Sequence, residues 1–134
     1  MLFADLVGFT AFSAQVDPFK VMVFLNDLFH VFDNMCDEYN VYKLETVGDC
    51  YVATVGVVTG ELVSMAMDSC TNTLTDSMEE KISASNSKDL VGFAKAMIRA
   101  SRGILKPEVD TPATMRIGIH VVSRKYTLWL YLCS

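Results

Sequence analysis

The 134 residues, 51% hydrophobic and 20% charged, suffice for one domain with a buried core and are too few for two, and that balance excludes a disordered or low-complexity chain. Eleven Lys and Arg against sixteen Asp and Glu give a formal net charge of −5, so bulk charge draws this surface to neither nucleic acid nor an anionic membrane. Four cysteines without a Cys-x-x-Cys pair form neither a disulfide scaffold nor a zinc framework, which suits a reducing compartment.

No signal peptide is legible, because the charge at Asp5 comes too early. The apolar stretch Tyr126 to Cys133 is far shorter than the ~20 residues a membrane helix needs, so a cytoplasmic domain is expected, in a parent protein that can be membrane-anchored. Leu2-Phe3-Ala4 running into Asp5 reads as a buried strand that presents a carboxylate, followed by a turn at Gly8-Phe9-Thr10. With nothing before Met1, such a strand suggests a domain clipped at its front. Asp17-Pro18 supplies a cap and a proline at the first helical position. Val21, Phe24, Leu25, Leu28, Phe32, Met35 and Tyr39 then recur at helical spacing, predicting a long amphipathic helix that ends near Asn40 and uses its aromatic stripe as core.

Val41 to Thr46 and Cys50 to Val58 read as strands joined by the tight turn Val47-Gly48-Asp49. Glu61 to Met67 predicts a short helix, and Thr71 to Ser87, rich in Ser, Thr, Asn and charge, predicts an exposed excursion. Helical periodicity resumes at Asp89 with Leu90, Phe93, Ala94, Met97 and Ile98. A linker at 107–112 leads to a strand over Thr114 to Val122. Strand, helix, hairpin, helix, strand predicts a layer of helices on a mostly antiparallel sheet.

If the first strand lies beside the hairpin, Asp5 and Asp49 meet. Adjacent carboxylates repel unless a cation neutralises them, and Mg²⁺ takes oxygen ligands of this kind. The backbone N–H groups of Gly8, Phe9 and Thr10 suit phosphate oxygens. Spacing alone leaves two accounts of these acids, a metal pair and an ordinary solvated bend. There is no Gly-x-x-x-x-Gly-Lys-Ser/Thr motif, which argues against a P-loop ATPase. His120 reads as structural, His30 has no second ligand spaced for zinc, and Cys50 reads as a small buried residue.

Phe3-Ala4-Asp5-Leu6-Val7-Gly8-Phe9-Thr10 and Lys43-Leu44-Glu45-Thr46-Val47-Gly48-Asp49-Cys50-Tyr51 resemble the two signature segments of the class III nucleotidyl cyclase catalytic domain. Arg116-Ile117-Gly118-Ile119-His120 resembles its later strand, and Leu25-Asn26-Asp27-Leu28-Phe29 with Phe32-Asp33 its connecting helix. The resemblance is close over 1–56 and looser over about 89–120. It implies an α/β domain, an α+β sandwich with the ferredoxin-like βαββαβ cyclase fold, incomplete at its C-terminus. Residues 1–120 would form the partial catalytic domain, with a polar insertion at about 59–88, and 121–134 a divergent apolar tail.

The same resemblance implies that Asp5, Asp49 and the backbone carbonyl of Leu6 hold two Mg²⁺ or Mn²⁺ ions. Gly8, Phe9 and Thr10 would contact phosphates while the ribose 3′-hydroxyl attacks the α-phosphate and pyrophosphate leaves. Glu45 falls at the base-selecting position, which is Glu in guanylyl cyclases and Lys in many adenylyl cyclases. Guanine offers N–H donors that a carboxylate accepts, whereas adenine N1 is itself an acceptor, a mismatch of about 1–3 kcal/mol. GTP is therefore the expected substrate and cyclic GMP the product, and Glu45 opposes an adenylyl cyclase. In the family, Glu45 and the aspartates of one chain serve opposite sites, which implies a homodimer or a heterodimer with another cyclase domain. After His120 the family's Gly-Pro and Ala-Gly turn, second base contact, transition-state Asn/Arg pair and later lysine find no match, and Arg124 and Lys125 read as ordinary surface. The alternative expectation is a catalytically inactive cyclase-like module that pairs with or regulates an intact cyclase.

Overall fold

The computed structural model describes residues 1–56, 76–122 and 127–133. In chain order these form β1 (Leu2–Leu6), α1 (Phe9–Ser13), α2 (Pro18–Cys36), β2 (Tyr42–Val47), β3 (Cys50–Thr54), α3 (Asp76–Ser101), β4 (Met115–Val122) and β5 (Thr127–Cys133). The strands lie in the order β2-β3-β1-β4-β5, every neighbouring pair antiparallel. β3 sits between β1 and β2, which makes the first crossover a split βαβ unit, and β1 is central as its apolar run suggested.

Alternation along the strands gives the sheet two unlike faces. Leu2, Ala4 and Leu6 of β1, Tyr51 and Ala53 of β3, and Met115, Ile117 and Ile119 of β4 are all buried in one core. Val21, Phe24, Leu28 and Phe32 of α2 and Leu90, Phe93, Ala94 and Met97 of α3 complete it. Phe32 meets the Tyr51 ring edge-on at 5.5 Å between centroids, and Phe12 of α1 meets Phe24 at the same distance. Among the described residues, the other face, with Phe3, Asp5, Val52, Arg116 and Gly118, carries no helix.

Asp17 caps α2 as its sequence implies, its Oδ1 accepting the Phe19 N–H at 2.9 Å. The helix proper stops at Cys36, and a turn continues to Asn40 (φ 52°), where Val41 N–H donates to the Cys36 carbonyl at 2.9 Å and closes it. Cys36 joins the core, while Leu25, Met35 and Tyr39 are only partly buried.

Three local expectations change. α3 begins at Asp76, so residues 76–87 are helical and not an irregular excursion. The apolar rhythm is missing there because, among the described side chains, Lys81, Ala84, Ser85 and Lys88 face solvent, and a helix end so exposed carries no stripe. The second hairpin strand stops at Thr54. The stretch read as an apolar tail supplies β5, which pairs with β4 from Arg116↔Cys133 to Val122↔Thr127. The short helix expected over Glu61 to Met67, and 71–75 of the excursion, lie outside the described residues.

Candidate functional site

Asp5 stands at the exit of β1, on the helix-free face, because the apolar residues at 2, 4 and 6 take the opposite one. Antiparallel pairing sets Asp5 opposite Arg116 of β4. Both Nε and Nη2 of Arg116 donate to Asp5 Oδ2, the former at 2.7 Å. On the other flank β3 runs beside β1, with Ala4 opposite Tyr51, which brings the preceding hairpin turn to the end of β1. That turn is a two-residue loop, Gly48-Asp49, closed by Val47↔Cys50, and Gly48 takes φ 60°, the sign a tight hairpin loop needs at its first position. Asp49 is thereby brought beside the Asp5 carboxyl, close enough for each acid to shift the other's proton affinity.

The two acids respond in opposite directions. Burial, and then the hydrogen bond and charge of Asp5, push Asp49 up to about 6. Burial also pushes Asp5 upward, but hydrogen bonds from Asp49 and Arg116, together with the guanidinium charge, outweigh it and leave Asp5 below the usual carboxylate range. Below about pH 6 the pair thus keeps one proton, mainly on Asp49. A divalent cation among the same oxygens would take the place of that proton and remove the repulsion, so these residues fit an oxygen-ligated metal. Among the described residues, no group of three or more His, Cys, Asp or Glu forms a fuller ligand cluster.

Gly8 opens α1 in the left-handed conformation (φ 72°) with nothing within 4 Å of where a Cβ would stand. The first N–H groups of a helix have no acceptor inside it, and here they follow directly on the end of β1. Gly8 and Thr10 are exposed, and Phe9 is half-buried against the core.

Glu45 is exposed on β2 and opposes Val52, so it shares the helix-free face with Asp5. It is two strands away and two residues along, about 12 Å by strand spacing, and the structure does not bring it to the acids. His30 is exposed on α2. Cys50 is half-buried rather than buried, and burial, with the charges of Asp5, Asp49 and Glu45, raises its thiol pKa, which suits an inert side chain.

Two features lie outside what the local sequence indicated. Arg116 reaches Asp5 across 111 positions of chain, and a strand register carries no local signature. Beneath β2, Tyr51 O–H donates to Asp33 Oδ1 at 2.7 Å and Lys43 Nζ donates to Asp33 Oδ2 at 2.7 Å. Burial, followed by the hydrogen bonds to Cys36 and Asp33, drives the Tyr51 pKa upward and keeps it a donor. Its position in a strand showed only that it would be buried or not.

The family described as the adenylate and guanylate cyclase catalytic domain matches residues 1–123. The human guanylate cyclase soluble subunit alpha-2 is 34% identical over 120 residues, 90% of this chain and 13% of that protein. The guanylyl cyclase Cya2 superposes with a TM-score of 0.61 at 20% identity, covering 98% of this chain and 61% of that one. The non-canonical dimeric guanylyl cyclase domain of the RhoGC fusion protein from Blastocladiella emersonii gives 0.59 at 20% identity, covering 98% and 64%. These structural likenesses are of fold, and the chain spans about an eighth of the full-length alpha-2 subunit.

Proposed function

The chain belongs to the adenylate and guanylate cyclase catalytic domain family, and from that membership we propose that it is of the guanylyl type, turning GTP into 3′,5′-cyclic GMP and pyrophosphate in cyclic-nucleotide signalling. The observation that carries the reading is the carboxyl pair, Asp5 and Asp49, brought together at the end of the central strands with Glu45 on the same sheet face. Bound Mg²⁺ or Mn²⁺, two ions per site, supplies the charge that readies the ribose 3′-hydroxyl for attack on the α-phosphate and accommodates the departing pyrophosphate.

The chain's own residues do the positioning. Asp5, Asp49 and the Leu6 carbonyl hold the cations. Arg116 steadies Asp5 in its ionised form, and the N–H groups of Gly8, Phe9 and Thr10 receive phosphate oxygens. Glu45 accepts from the guanine N–H donors, and a productive site takes Asp5 and Asp49 from one protomer and Glu45 from its partner. Support for the pairing comes from the helix-free face, where Phe3, Tyr42, Val47 and Tyr131 are all well exposed. Apolar side chains in that number around charged ones suit coverage by a second cyclase domain, the same chain or another. No described helix is long and apolar enough to cross a membrane, and we place this segment as a cytoplasmic domain that contacts no membrane.

Turnover of GTP and ATP with Mn²⁺, with Asp49→Ala as blank, tests the reading. Cyclic GMP from the chain alone, lost in the blank, is the expected result. Glu45→Lys should turn the preference toward ATP, and an unaltered preference would remove the basis for the substrate assignment. A second reading, a non-catalytic module that acts on a partner cyclase, is favoured by residues 121–134, which depart from the family's Gly-Pro and Ala-Gly turn. Absence of product alone together with a changed rate on mixing with an intact cyclase domain would select it.

A further inference from the structure

Among the described residues β2 is an edge strand, with all six of its residues exposed, so burial does little to fix its register. From the turn outward, Val47, Thr46 and Glu45 oppose Cys50, Tyr51 and Val52. The ladder then skips, and Lys43 opposes Ala53, leaving Leu44 as the extra residue of a β-bulge. Cross-strand partners share a face, so Lys43 stands with Ala53 on the helix side and Glu45 with Val52 on the open side. In a regular strand these residues, two apart, would share one face about 7 Å from each other.

Lys43 is held where it is by the cluster under β2. Its Nζ lies 2.7 Å from Asp33 Oδ2 and 5.3 Å from the centre of the Tyr51 ring. Asp33 is itself fixed, its Oδ1 accepting the hydroxyl of the fully buried Tyr51, which also lies 3.3 Å from Cys36 Sγ. The carboxylate is divided between one immobile donor and one ammonium. Without it, a regular ladder is open to the same chain, with Leu44 opposite Ala53 and Lys43 opposite Thr54. That register turns the half-exposed Leu44 onto the apolar side and brings the Lys43 ammonium to the open face beside Glu45.

We propose that Asp33 is a specificity-positioning residue: by retaining Lys43 on the helix face it keeps the Glu45 carboxylate clear of a cation from its own strand, so that Glu45 can accept hydrogen bonds from a guanine base. The inference rests on the proposed role of Glu45 and adds the device that keeps that role available.

The test reads register and discrimination separately on the full chain. In Asp33→Asn, cross-strand NMR contacts between Lys43 and Ala53 should give way to contacts between Lys43 and Thr54. Displacement of N-methylanthraniloyl-GTP by GTP and by ATP, with Mn²⁺, should show the GTP preference narrowed by about fivefold, the scale of one close charge pair. The double variant Asp33→Asn/Lys43→Gln has no ammonium to compete and should recover the wild-type preference to within about twofold, a rescue that a purely structural role of the pair would not give. Retention of the Lys43–Ala53 contacts in Asp33→Asn overturns the proposal without any nucleotide being bound. So does a double variant no more selective than the single one. Glu45→Gln separates the two claims: an unchanged GTP preference in that variant sinks the base-recognition reading itself, whatever the register does.

Discussion

Replacing Asp49 by Asn is expected to stabilise the metal-free protein at neutral pH, although it removes a residue assigned to metal binding. The folded-state value of about 6 stands above the ordinary 3.8, so between these values the folded chain binds more protons than the unfolded one. A raised acid of this kind lowers stability as pH climbs. The cost is absent below about 4, grows through the window, and is complete above about 6. Each pH unit between the two values corresponds to about 1.4 kcal/mol, a ceiling near 3 kcal/mol. Solvent reaches the turn, and screening there reduces the cost to about 1 kcal/mol. Asn keeps an N–H donor for Asp5 and carries no charge, so it escapes the cost, while Arg116 remains paired with Asp5 in both proteins.

Urea unfolding in chelator, at pH 4 and pH 7.5, measures the difference. With a slope of about 2 kcal/mol/M, the Asn variant should exceed the wild type by about 0.5 M in midpoint at pH 7.5 and match it near pH 4. Added Mn²⁺ should then raise the wild-type midpoint and leave the variant nearly unmoved, because only the former gains a ligand for the ion. A wild-type midpoint flat between pH 4 and 7.5, or a variant weaker at pH 7.5, would refute the account of a strained carboxyl pair.

Tyr51→Phe removes the hydroxyl that Asp33 accepts, and a hydrogen bond to a half-buried carboxylate should cost about 1–2 kcal/mol, measurable as a lowered urea midpoint. Gly8→Ala meets no atom within 4 Å, so its cost is that of the left-handed backbone alone, about 1–2 kcal/mol, and Gly8→Asn should lose roughly half as much. Equal losses from Ala and Asn would mean that side-chain contact, not φ, decides that position. Phe32→Ala empties the centre of the ring cluster with Tyr51 and Phe29 and should cost about 3–5 kcal/mol in the same assay.

The parts of this fold that were legible in the sequence are those whose causes are local. Apolar residues at three and four residue spacing between Asp17 and Tyr39 must bury one side of a helix, and Gly48-Asp49 between two strand-forming runs must turn. The same reasoning fails over 76–87, where a helix with its described side chains largely in solvent leaves no pattern to read. It also fails where contact depends on register. Alternation puts Asp5 and Arg116 each on a polar face, but that they oppose one another follows from β1–β4 pairing across most of the chain, and no short window carries that choice. Lys43 and Glu45 are the sharper case. Standing two apart in a strand-forming run, they ought to share a face, and a carboxylate so close to an ammonium would look already satisfied. The strand opposite has one residue fewer between the same pairs, the surplus is taken up at Leu44, and the two charges part. Because a strand's side chains alternate with a period of two, a single surplus residue reverses the face of all that precedes it. The separation of Glu45, the residue proposed to choose the base, from the ammonium of its own strand is therefore set by a count made on the partner strand and by a carboxylate on α2, and neither is written in the residues around it.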